Sequence, residues 1–148
     1  TSAIINPKLI EEASREFGSQ CIVVAIDAKF NGKDWSVYTH GGKNKTDLDA
    51  LSWSKKAEQL GAGEILMTSM DKDGTKSGFD NILNQTLADN LNIPLIASGV
   101  AGELDHLVDA VKLGKADAVL AASIFHYKEI SIKKVKDALE NQGLSVRL

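Results

Sequence analysis

A single cysteine, Cys21, stands in 148 residues, so no disulfide can close within the chain, and an intracellular, cytoplasmic protein in a reducing compartment is expected. Proline is nearly missing as well, with 2 in the whole sequence, and no Pro- or Ser-rich tract interrupts it as a disordered linker would. Long apolar runs are absent. The longest, residues 21–26, is far short of the ~20 residues that span a bilayer, and no basic stretch followed by an apolar one opens the chain as a secretory leader would. Positive charge is not in excess either: 17 Lys and Arg face 20 Asp and Glu, a net charge of −3. That balance argues against a broad, non-specific nucleic-acid surface. What is present, 43% hydrophobic and 25% charged residues, is the composition of an ordinary globular domain. Residues 1–148 are read as one domain, long enough to bury a core without staples. The chain opens at Thr1 rather than Met, as if cut from something longer.

Helical and extended patterns alternate along the chain. Residues 7–17 predict a helix with Asn6 as N-cap, Pro7 where a missing N–H costs nothing, and Gly18 after its end. Residues 21–26 form a continuous β-branched run without alternation, the pattern of a parallel strand covered on both faces. Asn31-Gly32 then suggests a small hairpin, an excursion outside the core sheet. A helix over residues 47–60 puts Ala50, Trp53, Ala57 and Leu60 on one face. Strands at 65–68, 94–97 and 118–121 alternate with helices at 80–91, 103–113 and 131–142, with a short turn at 124–128. A repeat runs through this order: Phe17-Gly18, Leu60-Gly61 and Leu113-Gly114 each precede a small loop, an apolar strand and a polar residue. Asp27, Thr68, Ser69, Ser98 and Ser123 therefore fall at corresponding strand C-termini, the edge where parallel α/β folds bind ligands. Four such units are about half of a barrel of ~250 residues.

Asp27 directly follows the first buried run. A carboxylate there suits general acid or base work; a loop aspartate paired with Lys29 is the structural alternative, and the two readings are comparable from the residues alone. The turn Ser98-Gly99-Val100-Ala101-Gly102 and the pair Ala122-Ser123 each follow a strand and open a helix. Consecutive helix starts at one edge favour a phosphate site over turns that need glycine for geometry alone. Ser69, Asp71, Asp73, Gly74 and Asp80 fall at calcium-loop positions, but such a loop is entered from a helix and ends on Glu, and here an apolar strand leads in and Asp stands last. A loop that covers substrate is the better reading. His40, His106 and His126 lack metal-ligand spacing, and Cys21 has no evident base. Glu64 begins a strand at the opposite end, where a surface ion pair is its simplest role.

Taken together, Val24-Ala25-Ile26-Asp27-Ala28-Lys29, Gly61-Ala62-Gly63-Glu64-Ile65-Leu66, the run from Thr68 to Lys76, Ile96-Ala97-Ser98-Gly99 and the run from Ala121 to His126 closely resemble the cyclase subunit of imidazole glycerol phosphate synthase. The resemblance covers the whole chain but only the C-terminal part of the family's sequence. It implies a (β/α)8 TIM barrel of which this chain supplies strands five to eight, the N-terminal half being absent. The reaction it implies joins ammonia from a glutaminase partner to a bis-phosphorylated ribotide, phosphoribulosyl-formimino aminoimidazole carboxamide ribotide. The products are imidazole glycerol phosphate and aminoimidazole carboxamide ribotide, and the resemblance implies no cofactor. The family uses two aspartates, on strands one and five, as general acid and base; Asp27 matches the second. Thr68, Asp73 and Gly74 match substrate contacts, and Ser98, Gly99, Ala122 and Ser123 match one phosphate site. Thr1 matches the last residue of the other phosphate motif, and Glu64 a member of the gate that admits ammonia.

Two positions depart from the family's pattern. Val100 stands where glycine is usual, which narrows the backbone approach to a phosphate, and Lys115 reads as a one-residue insertion in a normally tighter turn. Two other functions stand beside the cyclase: the related isomerase one step earlier on the same substrate skeleton, and a catalytically incomplete module for assembly or phosphate binding. The run from Asp73 to Lys76 and the Phe125-His126 turn favour the cyclase. Four strands alone would leave apolar edges at 21–26 and 118–121 and one bare sheet face, so a homodimer of half-barrels is expected when the chain is expressed by itself.

Overall fold

A computed structural model of the chain describes residues 1–72, 78–99 and 101–147. Among these, the strands are β1 (Val23–Phe30), β2 (Trp35–Thr39), β3 (Asn44–Asp49), β4 (Glu64–Ser69), β5 (Leu95–Ser98) and β6 (Ala118–Leu120). They form one sheet in the order β3-β2-β1-β4-β5-β6. The pairs β1·β4, β4·β5 and β5·β6 are parallel, while β2 runs antiparallel to both β1 and β3. The helices are α1 (Ser2–Ile5), α2 (Lys8–Phe17), α3 (Ala50–Gln59), α4 (Asn81–Ala88), α5 (Leu104–Lys112), α6 (Ser123–His126) and α7 (Ile132–Asn141). No helix among the described residues is long and apolar enough to cross a membrane.

Parallel strands separated by helices, all packed on one side of the sheet, make the half of a (β/α)8 barrel that the sequence predicts. Val24, Ile26 and Ala28 of β1, Ile65 and Met67 of β4, and Leu95 of β5 are buried against Ile10 of α2, Trp53 and Ala57 of α3, and Leu83 and Leu87 of α4. A second cluster gathers Ala97 of β5 with Leu107 and Ala110 of α5, Ile124 of α6 and Val135 of α7. Side chains alternate across a strand, and burial follows that alternation through Val23 to Ala28 of β1, β4 and β5. The other face of the sheet, which no helix packs on, carries Val23, Ala25, Ala118 and Leu120 exposed and Leu66 and Ile96 half-buried, Val23 being 48% and Leu120 46% exposed. The bare face is the one that four strands were expected to leave.

Several boundaries differ from the sequence reading. Cys21 belongs to a 3-10 turn, Ser19–Cys21, and is exposed, so β1 starts two residues later and runs on to Phe30. Asn6 does not cap α2: Pro7 does, without a side-chain hydrogen bond, because α1 continues into it. Residues 31–49 are no excursion. Val37 is fully buried in the first cluster, and β3 takes residues 44–49, so the next helix starts at Ala50, capped by Asp49 accepting the Ser52 N–H at 2.8 Å. The edge expected at residues 21–26 stays open from Val23 to Ile26 among the described residues, since β2 pairs only with Asp27 to Phe30. β6 forms the other outer edge of the parallel part, as expected.

Gly18 and Gly61 adopt left-handed φ values of 86° and 103°, as the repeat predicts. In the third unit that conformation moves one residue on, to Lys115 at φ 54°. Gly114 is needed there for contact, because a Cβ on it would lie 2.5 Å from the Ala110 carbonyl oxygen. Lys115 thus takes the strained position, and its Nζ reaches Asp89 at 2.6 Å.

Candidate active site

Sheet register brings the predicted residues into one row. Asp27 is the parallel partner of Thr68, Thr68 of Ser98, and Ser98 of Leu120. All four point to the bare face, and Asp27, Thr68 and Ser98 are half-buried. Neighbouring strands lie about 4.8 Å apart, so the Asp27 carboxylate stands about one strand from the Thr68 hydroxyl and two from Ser98. The row continues through the antiparallel ladder to Tyr38 and Lys45. Tyr38 sits directly opposite Asp27, and its alternation within 35–39 was the available signal; reading the segment as an excursion hid it.

The two ends of the row differ. On the β2 side, the His40 N–H donates to the Thr1 hydroxyl at 2.7 Å, which ties Thr1 to the residue after β2. His40 holds a left-handed φ of 55° to do so. On the β6 side, the strand ends at Ser98 and Leu120 are paired, and the Gly99 N–H points to the Leu120 carbonyl at 3.4 Å. Gly99 therefore lies beside Ala122 and Ser123, the start of α6. Gly99 cannot carry a side chain without displacing Phe79, whose Cδ1 would be 3.1 Å from its Cβ. Asp73, Gly74 and Val100 lie outside the described residues.

Glu64 opens β4 on the same bare face and is half-buried. At about 3.3 Å per residue it stands roughly 13 Å below the Asp27–Thr68 row, with Leu66 between them. Asp80 holds the loop end next to the row. Its Oδ2 accepts the Trp35 indole N–H at 2.9 Å and the Ser69 hydroxyl at 3.2 Å, and its Oδ1 caps α4 through the Leu83 N–H at 3.0 Å. Both oxygens are committed to protein donors, and among the described residues no three His, Cys, Asp or Glu side chains gather as metal ligands.

A half-barrel with an aspartate, a threonine and a serine in register at the C-terminal strand ends defines a class. The sequence model of the histidine biosynthesis protein family matches residues 1–131, and the chain belongs to that family. Among its relatives are the proteins named imidazole glycerol phosphate synthase subunit HisF from two strains of Dehalococcoides mccartyi, BAV1 and CBDB1. Each is 57% identical over 148 residues, all of this chain and 58% of the relative. The chain thus spans a little over half the length of the curated relatives it matches.

Proposed function

We propose that the chain carries the C-terminal half of a cyclase site of histidine biosynthesis, a lyase reaction of the cytoplasm. In it, ammonia from a glutaminase partner is joined to phosphoribulosyl-formimino aminoimidazole carboxamide ribotide. Imidazole glycerol phosphate and aminoimidazole carboxamide ribotide leave. One observation carries the reading: a carboxylate and two hydroxyls in a single row, with Thr1 at one flank and Gly99, Ala122 and Ser123 at the other. From β1 to β6 the row measures about 14 Å along the sheet, the scale of an extended ribotide with a phosphate at each end.

In this reading Asp27 acts on nitrogen. Ammonia that adds to carbon must lose protons, and the amine that departs must gain one; a carboxylate in the row can take the first and return the second. Thr68 and Ser98 orient the substrate beside it. Ser98, Gly99, Ala122 and Ser123 receive one phosphate and Thr1 the other, and Asp73 and Gly74 contact the substrate. Ammonia enters at Glu64 and passes Leu66, Ala25 and Ile96, a short apolar path that keeps water from competing.

Asp27→Asn tests the assignment in a barrel completed by a matching N-terminal half, assayed with substrate and ammonium salt. Turnover is expected to fall ~10²–10⁴-fold with KM little changed. Near-normal turnover with a raised KM would make Asp27 a binding residue and overturn its role.

A further inference from the structure

The start of α5, just beyond β5, is held by a residue that stands outside the Asp27–Thr68–Ser98 row. His106 lies in the first turn of α5, half-buried. Its Nδ1 accepts the backbone N–H of Gly102 at 3.1 Å and that of Glu103 at 3.3 Å, while the Glu103 side chain accepts the His106 backbone N–H. A ring nitrogen that accepts is bare, so the imidazole proton sits on Nε2. The same ring closes on Gly78. A Cβ there would lie 3.0 Å from Cγ and 3.1 Å from Cδ2 of His106, and Gly78 has φ +85°. Its neighbour Phe79 packs beneath Gly99.

Two consequences follow. The amides of Gly102 and Glu103, which a free helix end would offer to an anion, are turned to the imidazole instead. An anion at this turn is met from the β5 side, by Ser98 and Gly99 next to Ala122 and Ser123. Second, the height of Gly99 above Phe79, and of Gly78 beside α5, is set by one side chain.

We propose that His106 is a positioning residue for the phosphate end of the site: through Gly78 and Phe79 it fixes the place of Gly99 at the end of β5 without touching the substrate. The inference rests on the phosphate reading of that turn. Two variants separate its functions. His106→Phe keeps a ring against Gly78 and removes the acceptor, whereas His106→Asn puts an amide oxygen close to where Nδ1 lies and removes the ring. Inorganic phosphate is titrated into the chain and followed by backbone amide spectra. His106→Phe is expected to weaken phosphate about tenfold and to shift the Gly102 and Glu103 amide signals, and His106→Asn to restore most of the affinity. In the completed barrel His106→Phe should raise KM with kcat little changed. Phosphate affinity equal in wild type and His106→Phe, or equally weak in both variants, would overturn the proposal, since the second result means only packing matters. A protonated Nδ1 in the nitrogen spectrum of the wild-type imidazole would overturn it independently of either variant's folding. A wild-type chain that binds no phosphate, while its Nδ1 is bare, would instead overturn the phosphate reading itself and take this inference with it.

Discussion

Asp80→Ala removes one carboxylate that serves three elements, and its cost can be worked from the contacts. The α4 cap through Leu83 is worth about 1 kcal/mol. The Trp35 indole N–H and the Ser69 hydroxyl lose their acceptor, and Ser69 is only 4% exposed. A buried donor left without a partner costs about 1 kcal/mol or more, so the three losses come to about 3 kcal/mol, a large part of the ~5–15 kcal/mol typical of a domain. With a urea slope of about 2 kcal/mol/M, the unfolding midpoint should fall by about 1.5 M. Asp80→Asn divides the effect. Its amide oxygen can keep the cap and its NH₂ can donate to the Ser69 oxygen, but the indole then faces another donor, so a loss of about 1 kcal/mol is expected. Trp35→Phe removes that donor. In its background Asp80→Asn should cost almost nothing, and the double-mutant cycle should show a coupling of about 1 kcal/mol. A midpoint shift below about 0.5 M for Asp80→Ala, or an additive cycle, would refute the idea that one carboxylate locks β2, β4 and α4 together.

Gly63→Ala should destabilise by roughly 3 kcal/mol, because its Cβ would lie 2.0 Å from the Ser19 carbonyl oxygen while its N–H is held by Ile22 at 2.9 Å. Gly32→Ala, at φ +101° with nothing within 4 Å, is the control for backbone strain alone; equal urea midpoints for the two would mean that the turn at 19–22 yields. The bare face with Val23, Ala25, Leu66, Ile96 and Leu120 should drive the chain, expressed alone, to a homodimer or higher oligomer. Sedimentation equilibrium showing a stable monomer across the micromolar range would refute that, and co-expression with a matching N-terminal half should displace the self-associated form.

Much of the molecule is local and therefore legible in the sequence. Gly18 and Gly61 announce helix ends because only a residue without a side chain enters the left-handed region cheaply, and apolar runs followed by Asp27, Thr68 and Ser98 mark the C-terminal strand ends of a parallel sheet. Asp49, Asp80 and Ser131 take cap positions at helix starts, a signal readable without coordinates. Other features depend on partners distant in the chain. Periodicity in residues 35–49 does not say whether a hairpin joins the sheet; that was decided by the buried place for Val37 beside β1 and α3. The apolar run at 21–26 reads as covered on both sides, yet coverage depends on which surfaces meet it, and in this chain helices meet one face alone. The Tyr38–Asp27 opposition, the Thr1–His40 bond and the clamp of His106 on Gly78 and Gly102 join residues 11, 39, 28 and 4 positions apart. Composition and spacing specify what each residue can do; register and packing decide which of them meet, because a hydrogen bond or a van der Waals contact is satisfied within a few tenths of an ångström.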